Sequence, residues 1–364
     1  FYKVRFAANI PLSGVSFGQV STLLMRGFFE RKLNPAVVPI AGKVDFNSQE
    51  TNHAFFDYVN KCVKKANAEH SRDVPSFKLW HLTEGLHSIS RVNNLLTFYE
   101  LDEPTASEIN LAKNQDKLIF TNKYSQEVFN QFGVDSHVIP LAFDKYNFKR
   151  VSKKYFDDDR IVFNLSGKFE KRKHHRKIIQ AWVKKFGNNK KYFLQCSIYN
   201  PFLQEKQNRD LFIDAVGGQS VFNVQFLGHM PTNSLYNDYL NSSDVIIGMS
   251  GAEGWGLPEF QSIALGKHSV VLNAHSYKEW ATPDNSVLID PTGKEPAYDG
   301  IFFHKGQEWN QGNIFSFNDD DFISGCEKAI ERVENNHVNE NGLKLQEQFS
   351  LDKTLDKLLP LIDE

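Results

Sequence analysis

Residues 250–261 read SGAEGWGLPEFQ and follow the apolar run Val245–Met249. The run predicts a buried strand, the glycines let the backbone come close to a ligand, and Pro258 suits the first turn of a helix. Glu253 stands just before that helix, where a carboxylate can accept hydrogen bonds from sugar hydroxyls. The segment is either a ligand-binding loop between a strand and a helix or a tight turn capped by Glu253. Local chemistry leaves both interpretations open.

Strands and helices alternate along the whole chain on both sides of this segment. The alternation is typical of βαβ units and a parallel sheet. A charged stretch at residues 144–160 has little periodicity and predicts a linker. We therefore predict an α/β protein with two Rossmann-like domains facing a cleft, over residues 1–145 and 146–345, followed by a terminal helix in residues 346–364. Ligands of such sheets bind beyond the carboxyl ends of the strands.

The predicted elements follow from apolar periodicity. The predicted strands are Val4–Ile10, Ala36–Ile40, Phe77–Leu82, Leu95–Tyr99, Lys117–Thr121, Val138–Ala142, Ile161–Leu165, Lys191–Ile198, Val221–Leu227, Val245–Met249, Ser269–Leu272 and Ser286–Ile289. The predicted helices are Gln19–Lys32, Asn52–Ala68, Tyr124–Phe132, His174–Lys185, Arg209–Val216, Leu235–Asn241, Pro258–Leu265, Asp319–Asn336 and Asp352–Leu359.

Composition excludes several classes of protein. The 364 residues are 41% hydrophobic and 24% charged, which predicts a soluble chain with a packed core and excludes general disorder. A net charge of -2 argues against a dedicated nucleic-acid binder. The three cysteines, Cys62, Cys196 and Cys326, form neither a disulfide framework nor a metal pair. We see no membrane span and no signal peptide, and expect a cytoplasmic protein.

Two further turns carry candidate chemistry. Ser166–Lys177 follows a predicted strand and is rich in lysine, so it can hold a diphosphate, contact nucleic acid or simply begin a solvated helix. The pair His174 and His175 lacks partners at a metal-site spacing. Ser13–Gly18 matches neither GxGxxG nor a P-loop, which argues against a dinucleotide dehydrogenase. The chain also lacks the Gly-x-Ser-x-Gly elbow of α/β-hydrolases.

Taken together, these residues resemble a family. Residues 253–258 (EGWGLP) and 264–271 (ALGKHSVV) resemble the signature of retaining GT-B glycosyltransferases of the glycogen-synthase and mannosyltransferase type. Gly167, Lys168 and Lys173 are similar to that family's G-R-L-x-x-x-K, whose two cations hold the donor diphosphate. The resemblance implies that Glu253 orients the donor sugar.

Less specific similarities to the family occur along nearly the whole chain, in the order in which the family has them. Gly228 and His229 resemble the stretch that holds the nucleotide base, and Gly14 resembles the glycine loop beside the diphosphate. Residues 132–144 resemble the segment that closes the first domain. Residues 349–353 resemble the start of a last helix that crosses back onto the first domain. By the same resemblance, the donor-binding set is Gly14, Gly167, Gly228, His229, Gly254, Trp255, Gly256, Leu257 and Gln261.

The chain departs from the family pattern at three positions. Gln261 stands where the family has a second glutamate that contacts the ribose. Lys168 replaces an arginine, which keeps the charge and loses the bidentate fork. Tyr99 replaces the histidine of a T-F-H motif near the donor sugar. The implied catalytic set is therefore Glu253, Lys168, Lys173 and Tyr99.

The resemblance implies a hexosyltransferase that acts on a nucleotide-diphosphate sugar with retention of configuration, without a metal or other cofactor. Its acceptor is a glycan, a lipid or a small molecule, and peripheral membrane contact stays open. Two alternatives remain. One is a GT-B sugar-nucleotide binder with weakened catalysis, suggested by Gln261 and Tyr99. The other is a nucleic-acid-modifying glycosyltransferase that uses Lys168–Lys177, although nucleic acid is not the partner we expect.

Overall fold

The computed structural model describes residues 5–363. Its strands are β1 (Ala7–Leu12), β2 (Ala36–Val44), β3 (Ser76–Leu79), β4 (Asn93–Thr97), β5 (Lys117–Phe120), β6 (His137–Val138), β7 (Ile161–Ser166), β8 (Tyr192–Ser197), β9 (Val224–Phe226), β10 (Val245–Gly248), β11 (His268–Leu272), β12 (Val287–Ile289), β13 (Gly293–Pro296) and β14 (Asn313–Ser316).

The helices lie between these strands and after them. They are α1 (Ser16–Glu30), α2 (His53–Glu69), α3 (Ala106–Lys113), α4 (Lys123–Asn130), α5 (His175–Phe186), α6 (Glu205–Ala215), α7 (Asn233–Asn241), α8 (Leu257–Ala264), α9 (Asp319–Asn335), α10 (Glu340–Leu343), α11 (Leu345–Gln348) and α12 (Leu351–Ile362).

Twelve of the strands form two parallel sheets of six. The first sheet has the order β2-β1-β3-β4-β5-β6, and the second has the order β12-β11-β10-β7-β8-β9. All the strand pairs in these two sheets are parallel. The prediction of an α/β chain with two Rossmann-like sheets is confirmed. The domain limits at residues 145 and 345 stay predictions, and Val4 and Glu364 lie outside the described residues.

Two predicted strand ends are displaced at prolines. We expected the first strand to stop before Pro11, but β1 continues to Leu12. The register of β1 against β2 shifts between Ile10 and Leu12, and such an irregularity tolerates a residue without an N–H group. We expected the sixth strand to run to Ala142, but β6 ends at Val138. Pro140 cannot donate to a ladder, so the chain leaves the sheet there.

The last helix, α12, packs against α1 of the first half. Arg31, directly after α1, lies 3.1 Å from Asp352 and 2.7 Å from Asp356 on α12. The hydroxyl of Thr354 donates to the Pro140 carbonyl oxygen over 3.1 Å. The predicted crossing of the last helix back onto the first half is therefore found.

Sequence periodicity missed the antiparallel hairpin of β13 and β14, which bridges the two halves. Asp102 of the first half accepts a hydrogen bond of 2.7 Å from the Asn313 backbone N–H and pairs with Lys294 at 2.7 Å. The Asn310 backbone N–H donates to Glu108 over 2.9 Å. We refer to residues 293–316 as the bridging hairpin. Its contacts hold the second half against the first beside the loop that follows β4.

Candidate active site

The two candidate donor segments meet at one edge of the second sheet. β7 precedes Gly167 and β10 precedes the loop at residues 249–256, and β7 and β10 are neighbouring parallel strands. The carboxyl ends of parallel strands lie on the same edge, so the two loops face each other. Lys173 and Glu253 therefore lie side by side, although 80 residues separate them.

A network of buried charges occupies this edge. The Lys173 ammonium donates to one Glu253 oxygen, and the Arg172 guanidinium lies 3.2 Å from the other. Arg172 also lies 2.6 Å from Glu170 and 3.3 Å from Glu100, which belongs to the first half. Sequence reasoning found Lys173 and Glu253 but missed Arg172, which joins three carboxylates. A buried arginine can do this because its fork presents several N–H donors.

The network fixes the charge of its members. Burial opposes ionisation of Glu253, but Lys173 and Arg172 outweigh it and hold the pKa of this carboxyl well below its usual range. Burial likewise opposes the charge on Lys173, but Glu253 outweighs it and raises the pKa of the ammonium group. Glu253 is therefore an ionised hydrogen-bond acceptor in this site, and Lys173 is a cation.

Glu259 adds a buried carboxyl that the sequence did not single out. It lies in the first turn of α8 and is 3% exposed. Its Oε2 atom is buried and finds no hydrogen-bond partner among residues 5–363. Burial, reinforced by the negative charge of Glu253, raises the pKa of Glu259 to about 7. This carboxyl therefore changes its charge near neutral pH, directly beneath the Glu253 loop.

Lys168 lies at the edge of the network rather than inside it. Its side chain is half-buried, and its ammonium nitrogen lies 5.0 Å from the centre of the Phe202 ring and 5.3 Å from that of Phe302. Gly167 next to it lies close to the Lys173 side chain. The structure thus places both predicted diphosphate cations at the ends of β7 and β10.

The loop that carries Glu253 is held in place from both halves. The Asn122 side chain of the first half donates to the Gly254 carbonyl oxygen over 2.9 Å. A Cβ atom on Gly254 would lie 2.8 Å from the Cβ of Phe98, so this close approach requires glycine. Gly256 has φ of +85° and begins α8. The Trp255 ring is buried, with its centre 5.6 Å from that of Phe349.

The remaining predicted donor residues line the surroundings of this edge. Gly228 and His229 are exposed after β9, and Gly14 is exposed before α1. Gln261 and Leu257, on the first turns of α8, line a cavity between the two halves. The roles of these residues in binding stay predictions.

Tyr99 is the predicted catalytic residue that the structure places away from the other three. Its hydroxyl donates to Glu108 over 2.9 Å, and its ring packs on Phe129 inside the first half. Successive residues of an extended chain point to opposite sides. Phe98 and Glu100, on either side of Tyr99, instead contact Gly254 and Arg172. The predicted catalytic role of Tyr99 has no support in this geometry.

The basic run at residues 168–177 is not a continuous exposed surface. Arg172 and Lys173 are buried in the network. Lys171 donates to the Pro296 carbonyl oxygen of the bridging hairpin over 2.7 Å, and Arg176 pairs with Asp214 at 2.5 Å. Most of these cations are thus engaged within the protein, which gives no support to a nucleic-acid surface.

Residues 5–363 contain neither a membrane-spanning helix nor a cluster of metal ligands. None of the helices there is long and apolar enough to cross a membrane. That part of the chain also lacks a group of three or more His, Cys, Asp and Glu side chains placed to hold a metal ion. The expected independence from metal stays a prediction.

Comparison with known proteins identifies the fold. No family model and no curated sequence matches the chain. Sucrose-phosphate synthase from Thermosynechococcus elongatus is 13% identical, with a TM-score of 0.64 over 98% of this chain and 94% of its own. HepE from Anabaena, solved with UDP and glucose, is 15% identical, with a TM-score of 0.62 over 98% and 99%.

A third solved structure agrees with these two. Trehalose 6-phosphate synthase from Burkholderia multivorans is 12% identical, with a TM-score of 0.59 over 86% of this chain and 75% of its own. The likeness to the first two structures spans both sheets and nearly the whole of each chain. The chain therefore has the GT-B fold of glycosyltransferases.

Proposed function

We propose that the chain is a retaining glycosyltransferase that moves a sugar from a nucleotide-diphosphate sugar to an acceptor without a metal ion. The observation that carries this proposal is the pairing of Lys173 with Glu253 at the adjoining ends of β7 and β10, facing the first half. A cation and an ionised carboxylate at one strand edge suit a ligand that carries both phosphates and hydroxyls.

The reaction depends most on positive charge that stabilises the departing nucleoside diphosphate. Lys173 and Lys168 would supply it together with the first turn of α8, whose backbone N–H groups favour an anion. The Lys168 ammonium lies over aromatic rings, a contact worth about 0.5–2 kcal/mol, so a phosphate can displace it from the rings. Positive side chains in these places would do the work that a divalent metal does in other transferases.

Glu253 would orient the donor sugar. Its pKa, held low by Lys173 and Arg172, keeps it ionised, so it can accept hydrogen bonds from two hydroxyl groups. Gly14 lies on the opposite half, where its backbone would approach the phosphates in the closed cleft. In the mechanism that the resemblance implies, the leaving phosphate takes the acceptor proton, so a separate carboxylate base is not required.

UDP-glucose is the first donor to test, because HepE, which shares the fold, has been solved with it. Hydrolysis and transfer should be measured for wild type, Lys168→Ala and Glu253→Gln. Lys184→Ala, exposed near the end of α5, is the matched control. We expect a loss of about a hundredfold in kcat/KM for the first two variants, the usual effect of removing one stabilising charge or donor, and no change for the control. Unchanged rates in both site variants would contradict the assignment.

The configuration of the product and the metal requirement need separate measurements. Proton NMR of the first product formed should show the anomeric configuration of the donor, and activity should survive excess EDTA. An inverted product or complete loss in EDTA would contradict those parts of the proposal. Tight nucleotide binding without turnover over a broad acceptor panel would instead identify the catalytically weakened binder suggested by Gln261.

A further inference from the structure

Four aromatic side chains of the first half gather where β3 and β4 end, facing the cleft. Their ring centres lie 4.3 Å apart for Phe17 and Phe98, 4.6 Å for Phe17 and His81, and 4.9 Å for Trp80 and His81. Three separate segments of the chain supply them: the start of α1, the loop after β3 and the loop after β4. We call Phe17, Trp80, His81 and Phe98 the aromatic platform.

The aromatic platform is open on one side. Phe17 is 8% exposed and forms its base, whereas Trp80 and Phe98 are half-buried and His81 is exposed. Aromatic side chains carry large apolar surfaces that folding normally covers. Here the described part of the protein leaves some of that surface in contact with solvent.

The aromatic platform borders the proposed donor site. Phe98 touches Gly254, next to Glu253. Partial burial lowers the pKa of His81 most. The charge of Glu84 partly opposes this shift, and the positive charge of Lys168 lowers the pKa further. Glu100, two residues after Phe98, has a side chain that is 31% exposed. The rings therefore border the loop that carries Glu253, the residue proposed to hold the donor sugar.

This arrangement suits a sugar ring better than other acceptors. A pyranose presents an apolar face of C–H groups, which packs on an aromatic ring, and a rim of hydroxyls, which need hydrogen-bond partners. His81, Glu84 and Glu100 supply polar groups around the rings. A lipid chain would remove the exposed parts of these groups from water without offering them hydrogen bonds, at a cost for each one.

We propose that the aromatic platform binds a pyranose ring of a carbohydrate acceptor, stacked on Trp80 and bordered by His81, whose ring plane lies at 74° to that of Trp80, with Glu100 accepting a hydrogen bond from an acceptor hydroxyl. This inference rests on the proposed function and narrows its acceptor from glycan, lipid or small molecule to a saccharide. Trp80, Phe98 and Glu100 are then specificity-determining residues on the first half, and Glu253 and Lys168 hold the donor on the second.

Direct binding of saccharides tests the proposal without turnover. The probes are methyl α- and β-glucopyranoside, methyl α-mannopyranoside, maltose and cellobiose, followed by tryptophan fluorescence and by saturation-transfer NMR of the sugar ring protons. The proteins are wild type, Trp80→Ala, Trp80→Phe and Phe56→Ala. Phe56, 45% exposed on α2, is the matched control for loss of an aromatic side chain.

We expect at least one probe to bind wild type saturably, with millimolar affinity. Trp80→Ala should weaken binding about tenfold, the effect of losing one aromatic stacking contact. Trp80→Phe and Phe56→Ala should bind within about threefold of wild type, because they keep a ring at the platform or alter a distant face. The melting temperature of Trp80→Ala without ligand should stay close to that of Phe56→Ala, which shows that the variant is folded.

The outcomes separate this proposal from the proposed function. If none of the probes binds, or if Trp80→Ala binds as tightly as wild type, the proposed role of the aromatic platform is wrong, even if UDP-glucose is hydrolysed. If saccharide binding depends on Trp80 but the protein binds no nucleotide sugar, the aromatic platform is supported. In that case it is the proposed donor chemistry that is contradicted.

Discussion

The guanidinium of Arg172 lies 3.3 Å from the carboxylate of Glu100, so one ion pair crosses the cleft between the two halves. The same guanidinium holds Glu170 and Glu253 within the second half. The proposed sugar-orienting carboxylate is thus connected through one arginine to the loop that follows β4. One side chain thus contacts both the donor loop and the first half.

Two of the three carboxylate partners of Arg172, Glu170 and Glu100, should differ in their effect on stability. The Glu170 side chain is 3% exposed and lies 2.6 Å from the Arg172 guanidinium. Glu170→Gln should therefore lower the free energy of unfolding by about 3 kcal/mol, as expected for a broken buried pair. Glu100 is 31% exposed, so Glu100→Gln should cost less than about 1 kcal/mol. Urea denaturation measures both, with Glu327→Gln in an exposed pair as control. Equal losses for the two would contradict the account.

Glu259 should make stability depend on pH. Its pKa of about 7 lies above the unfolded value of 4.5, so the folded state keeps a proton that the unfolded state releases. Wild type should therefore lose stability as pH rises from about 4.5 to 7, by an amount on the order of 3 kcal/mol, and change no further from this cause above 7. Glu259→Gln should lack this loss.

Urea denaturation at pH 5, 6, 7 and 8 measures the difference between Glu259→Gln and wild type. The variant should gain relative stability from pH 5 to 7. Glu127→Gln, an exposed carboxylate on α4, should follow the wild-type curve. If Glu259→Gln and wild type have parallel pH curves, Glu259 does not hold a proton in the folded state.

Gly254 should tolerate no side chain. Gly254→Ala places a Cβ atom 2.8 Å from that of Phe98, so the halves must separate locally or the loop must move. We expect a loss of about 1–3 kcal/mol in unfolding free energy, the usual cost of overpacking. Gly228→Ala meets nothing within 4 Å and is the matched control for stability. A Gly254→Ala protein as stable as Gly228→Ala would show that Phe98 and Gly254 do not touch in solution.

Sequence reasoning predicted both sheets because each parallel strand is a short apolar run bounded by turn residues, a local signal. It missed α3, although Thr105 and Glu108 form a capping box that the sequence T-A-S-E announces. It also missed β13 and β14, because their pairing joins two four-residue segments separated by a long loop. Such a pairing between distant segments does not produce a periodic pattern of apolar residues in the sequence.

The candidate site was predicted only in part for a similar reason. Glu253 and Lys173 stand in motifs of the resemblance, so each could be found by its own surroundings in the chain. Arg172 and Glu100 act as partners only because the fold brings residues 72 positions apart within 3.3 Å. The T-F-H comparison pointed to Tyr99, but the alternation of an extended chain turns its neighbours Phe98 and Glu100 to the cleft.

Nucleotide-sugar binding by wild type and by Lys168→Ala and Lys173→Ala tests the central claim most directly. Melting temperature is measured against UDP-, GDP-, ADP- and CMP-sugars, with Lys184→Ala as control. One donor class should stabilise wild type and the control by mass action. Its affinity should fall at least about tenfold in both site variants, and Lys168→Ala, changed at a half-buried position, should remain folded. Binding of none of the four classes to wild type, or equal affinity in all the variants, would contradict the account.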